Sequence, residues 1–171
     1  MKSNRVNVLG VGISPINLRL AEELVFEAIH SGRQGYVGVT GVHGVSEAYS
    51  DKKFRDILNN AYLNTPDGMP MVWYARMYGF EKVSRVYGPD LMLNILSRSN
   101  IEDVKHFFYG GGEGVADLLK EKLEQKFPEI EIVGTYTPPF RPLTNEEEMD
   151  ELSFADELEK NLEKEKEQEN T

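Results

Sequence analysis

Short apolar runs alternate with amphipathic segments along most of the chain. An apolar run predicts a strand over residues 5–12, and Ser14-Pro15 then predicts the start of a helix, with serine as the N-cap and proline in the first turn. Apolar residues recur at helical spacing from there to Ile29. The same patterns predict strands over 36–40, 61–65, 83–87, 106–109 and 130–136, and helices over 43–60 (with a break near Ser50-Asp51), 70–78, from Asp90, and 115–127. This alternation predicts an α/β fold, Rossmann-like, with a mainly parallel sheet flanked by helices.

Charge divides the chain into two parts. The net charge is −10, but Thr144 to Thr171 holds twelve acidic residues and three lysines, so the rest is nearly neutral. We expect a single compact domain over 1–143 and an acidic helical tail over 144–171. Its short apolar stripe consists of Leu152, Ala155, Leu158 and Leu162. No basic surface favours a nucleic-acid partner.

Composition excludes several classes of site. The chain has no cysteine, which excludes disulfides, thiolate metal sites and cysteine nucleophiles. The three histidines lack metal-ligand spacing, and no Asp-x-Asp pair is present, so we expect no metal at the site. We find no secretory signal and no run long enough for a membrane span, and therefore expect a soluble, cytoplasmic protein.

Three predicted strand ends carry polar or glycine-rich sequence. They are TGVH (40–43), TPDG (65–68) and GGGEG (110–114). Ligands of open α/β sheets bind at the carboxyl ends of the strands, so these segments are the candidate site. The glycine run precedes a helix and favours a phosphate-bearing nucleotide, although a flexible loop has the same pattern.

Single residues in these segments have structural interpretations as well as functional ones. Asp67 is a general-base candidate, and Asp is also common in Pro-Asp-Gly turns. His43 is typical of a hydrogen-bonded residue near a helix start. Arg85 has the geometry to pair with a diphosphate or to remain solvated. Residues 10–15 (GVGISP) half resemble a dinucleotide fingerprint, but proline replaces the third glycine and no acid follows for the ribose.

The predicted helix 70–78 is rich in methionine and aromatic residues. Such a surface exceeds what a small monomer easily buries. We therefore expect a homo-oligomer, with a trimer the best estimate.

Several segments together resemble the WecG/TagA/CpsF family of glycosyltransferases, and most of all its wall-teichoic-acid branch. They are PDGMPMVWYAR (66–76), RVYGPDLM (85–92), FFYGGGEGVADLLKEKLEQKFPEIEIVGTYTPPF (107–140) and the following EEE run. The resemblance covers about residues 5–149. It implies an inverting, metal-independent transfer of N-acetylmannosamine from a UDP-sugar donor, which is a substrate and not a cofactor. The implied acceptor is N-acetylglucosamine on undecaprenyl diphosphate, at the inner face of the membrane.

The resemblance also implies roles for individual residues. Asp67 matches the proposed base and Thr40 the pocket threonine, with His43 beside it. Arg85 matches a position near the diphosphate. The uridine site is implied to include the following residues: Gly110, Gly111, Gly112, Glu113 and Tyr136.

Two departures from the family pattern keep alternatives open. Val42 stands where the family usually has asparagine, and the usual Gly-x-Pro-x-Gln-Glu-x-Trp strand end and basic C-terminal segment have no counterpart after Asp150. We therefore expect either a truncated form with impaired transfer or a form whose tail has diverged. A UDP-sugar-binding or oligomerising core without turnover is one alternative, and a nucleotide-dependent oxidoreductase is another.

Overall fold

A computed structural model describes residues 5–147, 149–150 and 153. The chain divides into two compact units, Met1–Val104 and Lys105–Thr171, and each is described by itself. Both units place helices against short strand pairs, two of the three pairs being parallel. The prediction of a Rossmann-like α/β fold is confirmed.

The first unit contains the parallel pair that forms the candidate site. Its elements are β1 (Val6–Val8), β2 (Val11–Ile13), α1 (Leu18–His30), β3 (Val37–Thr40), α2 (Val42–Ser50), α3 (Lys52–Asn60), β4 (Leu63–Pro66), α4 (Met69–Met77) and α5 (Gly88–Glu102). Strands β3 and β4 run parallel, with Val37 opposite Leu63 and Thr40 opposite Pro66. Their carboxyl ends, and the residues that follow them, therefore lie at one edge.

The predicted strand 5–12 is wrong, because this segment is an antiparallel hairpin. Val8 of β1 pairs with Val11 of β2, so only Leu9 and Gly10 form the turn. Both have positive φ, 51° and 92°, as the two central residues of a type I′ hairpin turn do. Leucine rarely occupies such a position, which is why the apolar run concealed the turn.

The predicted helix start at Ser14 is also wrong. Asn17 caps α1, and its side chain accepts a hydrogen bond from the backbone N–H of Leu20 at 2.9 Å. Ser14 is instead buried, and its N–H donates to the carbonyl oxygen of Asn64 at 2.8 Å. A serine that ends a buried strand thus has the sequence pattern of a helix cap.

The predicted break near Ser50-Asp51 is confirmed. Asp51 separates α2 from α3, and its carboxylate accepts a hydrogen bond from the backbone N–H of Phe54 at 3.1 Å. The first backbone N–H groups of a helix have no acceptor within the helix, and Asp51 provides an acceptor for one of them in α3.

The predicted strand 83–87 is wrong as well, since this segment belongs to no strand. It nevertheless lies beside β4, because the Val86 N–H donates to the Pro66 carbonyl at 2.9 Å. Val83 and Val86 are both buried. Pro66 has no amide hydrogen, so β4 offers an acceptor here without a donor to extend the ladder. The apolar residues of 83–87 therefore indicated burial and did not indicate pairing with another strand.

The core of the first unit lies between the hairpin and the helices. The apolar side chains of both hairpin strands pack against buried residues of α2, α3 and α4 in one cluster. A second cluster joins α1, β4 and α5 through Ala21, Leu63 and Leu91. Burial of these side chains holds β3 and β4 at a fixed position in the unit.

In the second unit the described residues include the parallel strands β5 (Lys105–Tyr109) and β6 (Glu131–Tyr136), with α6 (Val115–Lys126) between them in the chain. The register of β5 and β6 shifts between His106 and Phe107, which places Gly134 opposite Phe107. A Cβ atom on Gly134 would lie 2.7 Å from a carbon of the Phe107 ring. Glycine is therefore required for the close approach of the two strands.

The start of the acidic segment is a capping box. The Thr144 N–H donates to Glu147 at 2.9 Å and the Glu147 N–H donates back to the threonine hydroxyl at 3.3 Å. Arg141 donates two hydrogen bonds, of 2.8 and 2.7 Å, to the same carboxylate and with Thr144 lowers the pKa of Glu147 to about 2. Residues 145–147 and 149–150 are helical. The predicted apolar stripe of the tail lies outside the described residues.

Replacement of Gly134 tests the packing of β5 against β6. We expect Gly134→Ala to lower the free energy of unfolding by about 1–3 kcal/mol, because the Phe107 ring must move to admit the new methyl group. Thermal unfolding measures the change. Gly112→Ala is the matched control, since its Cβ would meet Val115 at an ordinary 3.7 Å. Equal stability of the two variants would contradict this packing.

Candidate functional site

Two residues predicted to form the site, Thr40 and Asp67, lie side by side at the carboxyl ends of β3 and β4. The Asp67 N–H donates to the Thr40 carbonyl at 3.0 Å. Gly41 allows this approach, because a Cβ atom there would lie 3.1 Å from the Asp67 carbonyl oxygen. The parallel register therefore fixes the backbone distance between the candidate base and the pocket threonine.

The carboxylate of Asp67 is held by Arg85. The Arg85 Nε donates to Asp67 Oδ1 at 2.9 Å, and the guanidinium lies 4.5 Å from the centroid of the Tyr87 ring. The Asp67 side chain keeps 27% of its surface exposed, so a ligand can reach it. The segment 83–87 thus brings to Asp67 the arginine for which the family resemblance implies a position near the diphosphate.

Thr40 belongs to a buried polar network that sequence patterns did not reveal. Its hydroxyl donates to the Oδ1 of Asn64, and the Asn64 Nδ2 donates to the Gly12 carbonyl at 3.1 Å. Thr40 is only 3% exposed and Asn64 is fully buried. Asn64 lies in β4, whose four residues are all buried. Its one sequence signal was a polar residue within a segment predicted to be a short buried strand.

His43 lies in the first turn of α2, and its side chain is 90% exposed. Its Nε2 lies 3.6 Å from the Oε1 of Glu47, one turn along the same helix. This interaction joins His43 to its own helix rather than to Thr40 or Asp67.

In the second unit, the glycine loop and the end of β6 line an open cavity of about 460 Å³. The lining includes four of the residues predicted for the uridine site: Gly111, Gly112, Glu113 and Tyr136. Gly110 closes the loop instead, donating its N–H to the Tyr136 carbonyl at 2.8 Å. Gly110, Gly111 and Gly114 all have positive φ, so their backbone conformations favour glycine.

Acidic groups give this cavity its chemical character. Asp117, in the first turn of α6, accepts a hydrogen bond from the Thr135 hydroxyl at 2.6 Å and lines the cavity with Glu113. The helix N-terminus attracts anions, but a carboxylate is already present there. Carboxylates repel phosphate and accept hydrogen bonds from hydroxyl and N–H donors, so the lining suits the sugar and base of a nucleotide better than its phosphates.

The sequence prediction did not include two residues at or near the second-unit cavity, Asp117 and Tyr109. Asp117 has the sequence signal of an acid in the first turn after a glycine loop, which is also an ordinary feature of helix starts. The ring of Tyr109 is tilted by 35° against that of Tyr136, with ring centroids 5.7 Å apart, so two aromatic rings lie at the ends of β5 and β6.

The hairpin settles the interpretation of residues 10–15. In a dinucleotide site, glycines form a turn between a strand and a helix whose N-terminus faces the pyrophosphate. Here Gly10 lies in a hairpin turn and Gly12 in β2, and α1 begins only at Leu18. The geometry of the fingerprint is absent from this segment.

Within the described part of the chain, no helix combines the length and hydropathy needed to cross a bilayer.

Two curated relatives match about half of the chain. An "N-acetylglucosaminyldiphosphoundecaprenol N-acetyl-beta-D-mannosaminyltransferase" of Bacillus spizizenii is 31% identical over 88 residues, which cover 52% of this chain and 34% of that protein. A protein of the same name from Bacillus subtilis is 28% identical over 87 residues, covering 51% of this chain and 34% of its own length. The matched segments thus span about a third of these relatives.

The family comparison covers much more of the chain. Residues 6–161 match the sequence model described as "Glycosyl transferase WecG/TagA/CpsF family". The match continues beyond Asp150, where the motif resemblance ended. Because it includes the hairpin, both parallel strand pairs and every helix between them, this chain belongs to the WecG/TagA/CpsF glycosyl transferase family.

Proposed function

We propose that this protein is an inverting glycosyltransferase that moves N-acetylmannosamine from UDP-N-acetylmannosamine to N-acetylglucosamine on undecaprenyl diphosphate. The observation that carries the proposal is the accessible carboxylate of Asp67, fixed by Arg85 at the shared edge of β3 and β4. The family assignment supports the reaction class. The names of the two Bacillus relatives support the sugar and the lipid-linked acceptor.

In the proposed reaction Asp67 acts as general base. It takes the proton of the acceptor hydroxyl while that oxygen forms a bond to the anomeric carbon of the donor sugar. The bond from that carbon to the diphosphate breaks in the same displacement, and UDP leaves with the electron pair. Attack from the face opposite UDP inverts the anomeric centre. No metal takes part in this scheme.

Arg85 has two functions in the proposal. Its Nε orients the Asp67 carboxylate through the 2.9 Å contact. The guanidinium has five N–H donors in total, so donors other than Nε can serve the diphosphate of the donor substrate. Placing a fixed cation at the reacting centre favours the negative charge that develops on the departing UDP.

For the donor, we propose that the cavity formed by the glycine loop holds the nucleoside of UDP. The carboxylates of Glu113 and Asp117 suit ribose or base donors, and the aromatic pair of Tyr109 and Tyr136 lies at the adjoining strand ends. Because the proposed acceptor is carried on a membrane lipid, the transfer must take place at a membrane surface. We therefore propose that the protein attaches peripherally to the cytoplasmic face of the membrane.

A core that binds UDP-sugar without turnover remains the alternative function. Val42 stands where the resemblance implies asparagine, which favours this alternative. The two functions differ in one observable, because both bind the donor but only the transferase forms a disaccharide. The oxidoreductase alternative is overturned by the family assignment and by the hairpin at residues 10–15.

Ligand selectivity tests the nucleotide site. We expect UDP to bind more tightly than NAD, because the cavity lies at the glycine loop and residues 10–15 form a hairpin rather than a pyrophosphate turn. Isothermal titration calorimetry with both ligands measures the difference. Gly111→Val should weaken UDP binding, since Gly111 has a φ of 84° that valine strongly disfavours. Tighter binding of NAD than of UDP would reject the proposed donor.

Replacement of the base tests the chemical step. We expect Asp67→Asn to lower the transfer rate by about 10²–10⁴-fold and to leave UDP affinity nearly unchanged, because the base acts on the acceptor. The assay follows disaccharide formation, in this chain and in a version extended by the family's basic C-terminal segment.

Asp56→Asn is the matched control, since Asp56 is an exposed acid on α3. It should transfer at the rate of the unmodified chain. An undiminished rate in Asp67→Asn would reduce Asp67 to a turn residue and reject the site.

We further propose that the protein forms a homotrimer through α4. Trp73 and Met77, one helical turn apart, are 59% and 81% exposed, and Met69 and Tyr78 extend the apolar surface. Light scattering should give the mass of a trimer, and Trp73→Glu with Met77→Glu should lower it. Tyr49→Glu, at an exposed aromatic residue of α2, is the control. A monomeric unmodified chain at high concentration would contradict the proposal.

A further inference from the structure

Asn64 is a fully buried amide whose two ends contact different elements. Its Nδ2 donates to the Gly12 carbonyl of the hairpin at 3.1 Å, and its Oδ1 accepts from the Thr40 hydroxyl at the end of β3. Its backbone is fixed too, because the Asn64 N–H donates to the Ser14 hydroxyl at 3.1 Å. The side chain therefore has one orientation in which all of these contacts are made.

The chemistry of the partners determines the direction of each hydrogen bond. A backbone carbonyl only accepts, so the amide nitrogen of Asn64 must face Gly12. The amide oxygen then faces Thr40, and since that oxygen also only accepts, the Thr40 hydroxyl must donate to it. A hydroxyl has a single proton. Towards any other group Thr40 Oγ1 can consequently act only as an acceptor.

We infer that Asn64 is a positioning residue that holds the Thr40 hydroxyl as a hydrogen-bond acceptor for substrate. This inference rests on the proposed function. Because the Thr40 carbonyl receives the Asp67 N–H, Thr40 lies next to the proposed base and thus next to the sugars that meet there. The group that Thr40 recognises is then a donor, either a hydroxyl or the acetamido N–H of one of those sugars.

Gly38 supports the arrangement from the opposite strand. It pairs with Asn64 in the parallel register, and a Cβ atom there would lie 2.9 Å from Asn64 Oδ1 and 3.5 Å from Thr40 Oγ1. No side chain larger than hydrogen fits at 38 unless the amide moves. Gly38→Ala should therefore displace the same contact without removing either polar partner.

A double-mutant cycle on the full chain tests the inference. Asn64→Leu and Thr40→Val should each lower transfer of N-acetylmannosamine from its UDP donor by about tenfold, the loss of one hydrogen bond to the reacting sugars. If Asn64 acts through Thr40, the double variant should be no slower than Thr40→Val alone. Thr40→Ser keeps the hydroxyl, so Asn64→Leu should still slow that variant.

Tyr62→Phe is the matched control. Tyr62 precedes β4 and is partly buried, and its hydroxyl donates to the Leu24 carbonyl of α1 at 3.2 Å, away from Thr40 and Asn64. The change should lower the melting temperature without altering transfer. If Asn64→Leu does not fold, Gly38→Ala replaces it in the same cycle.

The outcomes separate this inference from the proposed function. If the unmodified chain neither binds UDP-N-acetylmannosamine nor transfers its sugar, the proposed function fails and the inference fails with it. If the chain binds without transfer, the same cycle is measured in affinity for the donor and for a lipid-diphosphate N-acetylglucosamine. Independent, multiplying losses in the cycle, or unchanged transfer and affinity in Asn64→Leu, would overturn the inference while the proposed function stands.

Discussion

The first unit depends on one buried amide. Asn64 joins the hairpin to the parallel pair, since its side chain contacts Gly12 and Thr40 and its backbone contacts Ser14. A buried amide without partners would cost about 1–3 kcal/mol, so these contacts specify a single arrangement of the strands. That arrangement fixes the end of β3, and through the hydrogen bond between Thr40 and Asp67 it fixes the start of the turn that carries the proposed base.

The negative charge of Asp67 at this edge is balanced by Arg85, which lies in the segment 83–87 and not in a strand. The bond from Val86 to Pro66 holds residues 83–87 beside β4, and Arg85 thereby reaches the Asp67 carboxylate. Tyr87 lies beneath the guanidinium and limits its motion. Catalysis by a general base requires its carboxylate at a fixed position, and here the position depends on the backbone hydrogen bond between Val86 and Pro66, the residues next to Arg85 and Asp67.

Sequence patterns predicted the features that depend on local rules. Helices α1 to α6, the break at Asp51 and the polar strand ends follow from apolar spacing, capping residues and glycine runs. The hairpin escaped because its turn contains Leu9 with a positive φ, which only the packing around it stabilises. The segment 83–87 was wrongly predicted as a strand, because a buried loop has the same apolar pattern as a strand. Asn64 could not be assigned, because its partners Gly12 and Thr40 are distant in sequence and come together only in the fold.

We propose that the carboxyl edge of β3 and β4 is a site of inverting sugar transfer. The measurement that tests it most directly is a single-turnover reaction with UDP-N-acetylmannosamine and a lipid-diphosphate N-acetylglucosamine, with the product linkage determined by nuclear magnetic resonance. The account predicts one disaccharide product with a β linkage, formed by inversion. Formation of an α-linked product, or binding of both substrates with no product from a chain carrying the family's C-terminal segment, would contradict it.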